Sequence, residues 1–189
     1  MLEQRIQQQF FESADLLYQL AESLSRPLAI GAQMLVNCVT GGGRVLCAGF
    51  GGSGLDARHM ATLMVGRFEQ DRPGLAAWSL DALGFEAGSE ALVRQVQALG
   101  HPGDLLLIFD AQAVQLARWA PVLDAAHAQE MSVIALTGGA NDELRTALLD
   151  TDVQIRVPHA RVARVAEAHR LLSHCLCDAV DLQLLGASE

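Results

Sequence analysis

Residues 45–68 read VLCAGFGGSGLDARHMATLMVGRF, and the fold follows from where this stretch changes its period. Val45 to Ala48 make a short apolar run of strand character, glycines at 49, 51, 52 and 54 interrupt it, and an amphipathic helical pattern starts at Leu55. A strand, a glycine-rich turn and a helix in that order can seat an anion, because free backbone N–H groups face outward at a helix N-terminus. Gly51, Gly52 and Ser53 are the ligand-binding candidates of this turn. The glycines let the backbone approach a ligand closely, and Ser53 adds a hydroxyl donor. Turns of this composition also arise for steric reasons alone, so the loop does not decide function.

Downstream, strand and helix patterns keep alternating. The spacing predicts strands at 76–80, 105–109, 133–136 and 153–157, with helices near 90–99, 116–129 and 142–149 between them. With 45–48 this makes an α/β fold, a doubly wound, five-stranded, mostly parallel sheet with helices on both faces. Upstream, Ile6, Phe10, Ala14, Leu17, Ala21 and Leu24 recur at helical intervals. Pro27 then suits the first turn of a second helix, which the glycines at 41–43 stop. Two leading helices are therefore expected. A long C-terminal helix from Arg161 to about Leu185 is apolar around much of its circumference, through Val162, Val165, Leu172, Leu176, Val180 and Leu184.

With 189 residues, 51% of them hydrophobic, the chain suits a single domain over 1–189. Residues 1–43 form a helical extension suited to oligomerisation, and 44–189 form the α/β core with its last helix. Net charge is −9, and the 13 basic residues are all Arg and scattered, which argues against direct nucleic-acid binding. The N-terminus lacks the basic start and apolar core of a signal peptide, and no apolar run reaches membrane-spanning length. A cytoplasmic protein is expected. Cys38, Cys47, Cys175 and Cys177 lack paired metal-ligand spacing and read as buried, reduced thiols.

The pieces AGFGGSG, ARHMATLMVGRF, DRPGLAAWSL, QVQALGHPGDLLLIF, MSVIALTGG, DVQIRVPHARVARVAEAH and LCDAVDLQLL, in this order, resemble the sugar isomerase (SIS) domain proteins of the phosphoheptose isomerase group. Within that group the chain looks most like the DiaA-type members, which regulate replication initiation. The resemblance implies a homotetramer with sites near subunit interfaces. It also implies a sugar phosphate held by hydroxyls and N–H groups of the loop after the third strand. Here that loop is Phe109, Asp110, Ala111, Gln112, Ala113 and Val114, with no hydroxyl left. Asp110 sets a negative charge where a phosphate would sit, a repulsion of about 1 kcal/mol or more even in watery surroundings. The loop reads as a connection only.

The implied acid–base pair is also depleted. The resemblance places a Glu four residues after the His of the first core helix and a His on the last helix. His59 is followed at that distance by Leu63, whereas His169 keeps the second position and is the catalytic candidate if the chain is an enzyme. Zinc, which some members hold on two His, a Glu and a Gln, would find His59 and His169 but Leu63 and Ala166. Two ligands rarely hold zinc tightly, so no metal or other cofactor is expected. His174 reads as a hydrogen-bonded interface residue, and His101, His127 and His159 as surface residues.

Four further features bear on the site. The segment LDALGFEAG after Trp78 is shorter than in the group, which trims the sugar pocket. Phe50 replaces an Asn, and Phe50 and Phe109 are expected to fill the vacated cavity together. Arg67 is a ligand-binding candidate by resemblance and equally a structural partner of Glu69. Leu184 and Leu185 fall in the tail that, in DiaA-type members, binds the initiator DnaA, and equally suit last-turn packing within a tetramer. The expectation from these departures is a non-catalytic SIS-domain binding protein, a DiaA-like regulator acting through DnaA with a degenerate sugar-phosphate site. The alternatives are a phosphoheptose isomerase acting on sedoheptulose 7-phosphate and a sugar-phosphate sensor without turnover.

Overall fold

The computed structural model describes residues 1–80, 88–139 and 142–186. Its centre is a sheet of five strands, all parallel, in the order β2-β1-β3-β4-β5. The strands are β1 (Val45–Gly49), β2 (Ala77–Leu80), β3 (Leu105–Asp110), β4 (Ser132–Gly138) and β5 (Val153–Val157). Four of them match the expected positions closely, and β4 runs further than its apolar run because Thr137 and Gly138 continue the ladder beside β5. β1 and β3 are buried along their whole length, which is why both read as unbroken apolar runs.

Helices α1 (Leu2–Thr40), α2 (Ser53–Val65) and α5 (Val162–Leu185) cover one face, while α3 (Ser89–Leu99), α4 (Leu116–Ala128) and a 3-10 turn at Glu143–Ala147 cover the other. Each face closes its own core. The first packs Leu35, Met60, Phe109, Ile155 and Leu176, and the second packs Leu46, Phe50, Ile108 and Trp119.

One expectation about the elements is corrected. The two leading helices are a single helix of 39 residues with Pro27 inside it. Its buried positions, Leu16, Leu20 and Leu24 before the proline and Ala32, Leu35 and Val36 after it, stay in phase on one face. That face packs along α5 and β5, so burial keeps the helix continuous past a residue that by itself would favour a break. Phe50 and Phe109 are both buried but on opposite faces of the sheet, in separate cores, so they do not fill one cavity together. Among the described residues no helix is long and apolar enough to cross a membrane.

Candidate functional site

From β1 the chain leaves to one side to form β2, and from β3 it leaves to the other side toward β4. Parallel sheets open a crevice at such a reversal, outside the C-terminal ends of the strands. Two loops meet there, the glycine turn after β1 and residues 110–115 after β3. Gly49 is required by the first loop, because a Cβ there would lie 2.4 Å from the Ser53 backbone carbonyl. Gly51 adopts φ +55, a conformation that side chains other than glycine rarely take.

Ser53 is buried, and its hydroxyl oxygen accepts the Ala111 N–H at 3.0 Å, so it ties the two loops together. The N–H groups of Ser53, Gly54 and Leu55 bond to the carbonyls of Phe50, Gly51 and Gly52. Exposed Gly51 and Gly52 are what the turn offers to a ligand, and the Gln112 side chain lies directly beside Gly51.

The second loop is organised by Asp110, buried at the end of β3. Both its carboxylate oxygens lie 3.1 Å from the Val114 N–H. Burial raises its pKa, while the N–H groups of Val114, Gln112 and Ala113 favour the charged form. Ala113 sits at φ +49, which turns these amides inward. Trp119 is fully buried beneath the loop, its ring centroid 4.5 Å from that of Phe50 and tilted 57° to it, and Arg118 lies over the Phe50 ring at 4.1 Å. Beside the loop, Asp110, Ala113, Val114, Thr137, Gly138 and Gln154 border a small cavity of ≈ 30 Å³, room for water.

The histidines fall into two groups. His169 is buried on α5, 6.0 Å from the Phe109 ring, and its Nε2 lies 3.3 Å from the Thr137 carbonyl. A carbonyl only accepts, so Nε2 carries the proton and the neutral ring keeps its lone pair on Nδ1. That Nδ1 has no protein partner. Burial pulls the pKa down to about 4, so the imidazole is neutral at physiological pH.

His59, on α2, pairs with His174, on α5, through their Nε2 atoms at 3.1 Å. Phe68 lies against His174, and Asp56 accepts from Arg170 at 3.4 Å beside them. Burial, then Arg170, then His174 lower the His59 pKa. Helical periodicity gave no sign that the 59 and 174 rings would meet, because they lie on separate helices joined only by packing.

His59 and His169 therefore have different neighbours within one chain. Leu63 and Ala166 lie against the apolar core and offer no metal donor, so the residues present do not fit the four-ligand zinc site that the resemblance implied. Glu167 accepts from Ser13 at 2.7 Å and from Arg164 at 2.5 Å, which ties it to α1.

The remaining candidates lie elsewhere. Arg67 is exposed, 3.9 Å from Asp71, beyond the C-terminal end of α2 and so roughly 20 Å of helix from Gly51 to Ser53. Arg72, by contrast, is buried, bonded to Asp181 at 2.5 Å and to the carbonyls of Met64 and Leu63. Leu184 packs on the core and Leu185 is exposed. His127 is not a surface residue as expected, because it is half-buried and bonded to buried Asp152 at 2.8 Å. The four cysteines are free, and Cys175 is exposed where a buried thiol was expected. The shortened segment LDALGFEAG falls almost wholly outside the described residues.

A family profile described as "SIS domain" matches residues 9–138. A phosphoheptose isomerase of Methylibium petroleiphilum is 51% identical, covering 100% of this chain and 98% of that protein. One of Thiobacillus denitrificans is 42% identical over 100% and 99%. The structure superposes on a phosphoheptose isomerase of Francisella tularensis with TM-score 0.86 and 34% identity, covering 96% of this chain and 98% of that one. These relatives overturn the expectation of a non-catalytic, DiaA-like regulator acting through DnaA. That expectation weighed a few substituted positions, whereas likeness over the full length runs to proteins named as isomerases.

Proposed function

We propose, from the premise that the chain belongs to the SIS domain family and to its phosphoheptose isomerase group, that it catalyses aldose–ketose isomerisation of a seven-carbon sugar phosphate such as sedoheptulose 7-phosphate. The observation that carries this reading is His169, a buried, neutral imidazole whose tautomer is fixed by the Thr137 carbonyl and whose Nδ1 lone pair is unspent. The reaction removes a proton from the carbon beside the carbonyl, passes through an enediol, and returns a proton to the neighbouring carbon while the hydroxyl proton moves to the former carbonyl oxygen. His169 Nδ1 takes and returns the carbon-bound proton. Its pKa of about 4 makes it a weak base in the free protein. Negative charge developing on the substrate oxygens favours the imidazolium and strengthens it as the reaction proceeds.

The proton that moves between oxygens needs a second group. Leu63 has none to give, and the reading assigns this role to His59 in its pair with His174. The resemblance to the group implies a homotetramer with sites near subunit interfaces, and in such an assembly a neighbouring copy would complete this site. Gly51 and Gly52 hold polar substrate oxygens through their exposed backbone.

The test is turnover of sedoheptulose 7-phosphate by the wild type and by His169→Ala. Loss of about 10²–10⁴-fold in the variant supports the assignment. Equal rates overturn it. Leu63, half-buried against the core where the resemblance places a Glu, favours a second reading, a protein that binds the sugar phosphate without converting it. Micromolar binding with no conversion would select that one.

A further inference from the structure

We propose that Arg170 is a catalytic cation: its guanidinium meets the negative charge that develops on the substrate's carbonyl oxygen, the work a zinc ion would do in a four-ligand site that this chain cannot build. This rests on the isomerase reading for the identity of the oxygen, and on geometry alone for the cation.

Four side chains form one cluster between α2 and α5. Asp56 and His59 stand three residues apart on α2, and Arg170 and His174 four apart on α5, so each pair shares one face of its helix. The two faces meet twice. Arg170 Nη2 lies 3.4 Å from Asp56, and the Nε2 atoms of His59 and His174 lie 3.1 Å apart. Arg170 also stands close enough to His59 to disfavour its charged form. Asp56 is buried, whereas Arg170, His59 and His174 are half-buried, so the cluster is open to a ligand from solvent.

The histidine pair cannot supply the charge by itself. A contact between two Nε2 atoms needs one N–H and one lone pair, so at least one ring is neutral. Such a pair moves a proton but holds no standing charge for an oxyanion. A guanidinium stays charged and gives up no proton to the oxygen it faces. Arg170 is also held unlike a structural arginine. Arg72 is buried, 2.5 Å from Asp181 and bonded to the carbonyls of Met64 and Leu63. Arg170 keeps 43% of its side chain exposed, and its contact with Asp56 is longer than the about 2.8 Å of a tight charge-assisted bond. Asp56 thus anchors the guanidinium and leaves other N–H groups for a ligand.

When the proton leaves the carbon beside the carbonyl, its bonding pair becomes the new carbon–carbon double bond and the carbonyl π pair moves onto oxygen. In the isomerase reading His59 services the substrate oxygens, and Arg170, beside His59, reaches the same place. Arg170 holds the charge, and the histidine pair supplies the proton that quenches it. Leu63 and Ala166 offer a metal no donor here, so the positive charge is the chain's own.

Turnover of sedoheptulose 7-phosphate, and calorimetric binding of a six-carbon phosphohydroxamate whose C(=O)–NH–O group copies the charged enediol, test this in the presence of a chelator. The wild type should keep its full rate with the chelator. Arg170→Met should lower kcat by about 10²-fold with KM little changed, the size of one preorganised donor lost, and should weaken the hydroxamate by a similar factor. Arg170→Lys, which keeps the charge, should recover part of both. Should Arg170→Met fail to fold, Arg170→Gln carries the test with the same expected losses. A rate abolished by the chelator, or a kcat and hydroxamate affinity unchanged in the folded variant, would overturn the proposal. So would a raised KM with kcat intact, which marks uniform binding only. The two readings fail separately. A wild type that converts no sugar yet binds the hydroxamate through Arg170 sinks the isomerase reading and leaves the oxyanion contact standing, whereas full turnover in Arg170→Met does the reverse.

Discussion

His169 shows how one buried side chain serves both chemistry and stability. Its pKa falls from the ordinary 6.5 to about 4 because folding removes the ring from water. The unfolded chain therefore binds a proton that the folded chain refuses, and stability from this group is complete above pH 6.5 and is lost as pH falls toward 4. The loss is on the order of 3 kcal/mol. Urea unfolding between pH 7.5 and 4.5 should show it, and His169→Gln should flatten the slope. Asp110 acts in the opposite sense, since burial raises its pKa and its contribution declines as pH climbs above 3.8. Comparing wild type with His169→Gln cancels that contribution. A slope unchanged in the variant would show that His169 is not the titrating group.

Among the elements, α1 departs most from what the sequence suggested. Pro27 cannot donate to the Ser23 carbonyl and its ring crowds that turn, yet the helix continues because the face on either side of it is buried against α5 and β5. Pro27→Ala should therefore stabilise the protein, by about 1–3 kcal/mol, in thermal unfolding. A loss of stability would show that the packing requires the bend a proline imposes. The same contrast explains what could be read beforehand. The strands were legible because β1, β3 and β4 are apolar runs bounded by glycine or polar residues, and a buried parallel strand has little freedom to look otherwise. The glycine turn was legible because Gly49 and Gly51 meet steric demands that no other residue satisfies. The site was legible only in part. His169 stood out by its position in the resemblance, but the His59–His174 contact, the Arg72–Asp181 pair and the use of Asp110 by its own loop all depend on how helices and loops pack. Sequence periodicity carries no record of such contacts.

The whole molecule leaves a large apolar surface on the first half of α1. Phe10, Phe11 and Tyr18 are 72%, 66% and 84% exposed, and Leu2 and Ile6 lie open nearby. Large side chains so exposed on one helix mark an association surface. The expected homotetramer would bury them, and light scattering should give a mass several times that of the 20.2 kDa chain. The double substitution Phe10→Glu with Phe11→Glu should reduce that mass. A monomeric wild type would remove the interface that the proposed second proton group needs. It would not by itself remove His169.

Conversion of sedoheptulose 7-phosphate, followed by NMR with the purified wild-type protein, tests the central claim most directly, because it requires no partner and presumes no metal. The account predicts an aldose product that accumulates with time, incorporation of solvent deuterium at the isomerising carbon when the reaction is run in D2O, and loss of both in His169→Ala. A substrate that stays unchanged and unexchanged in the presence of folded wild-type protein would contradict it.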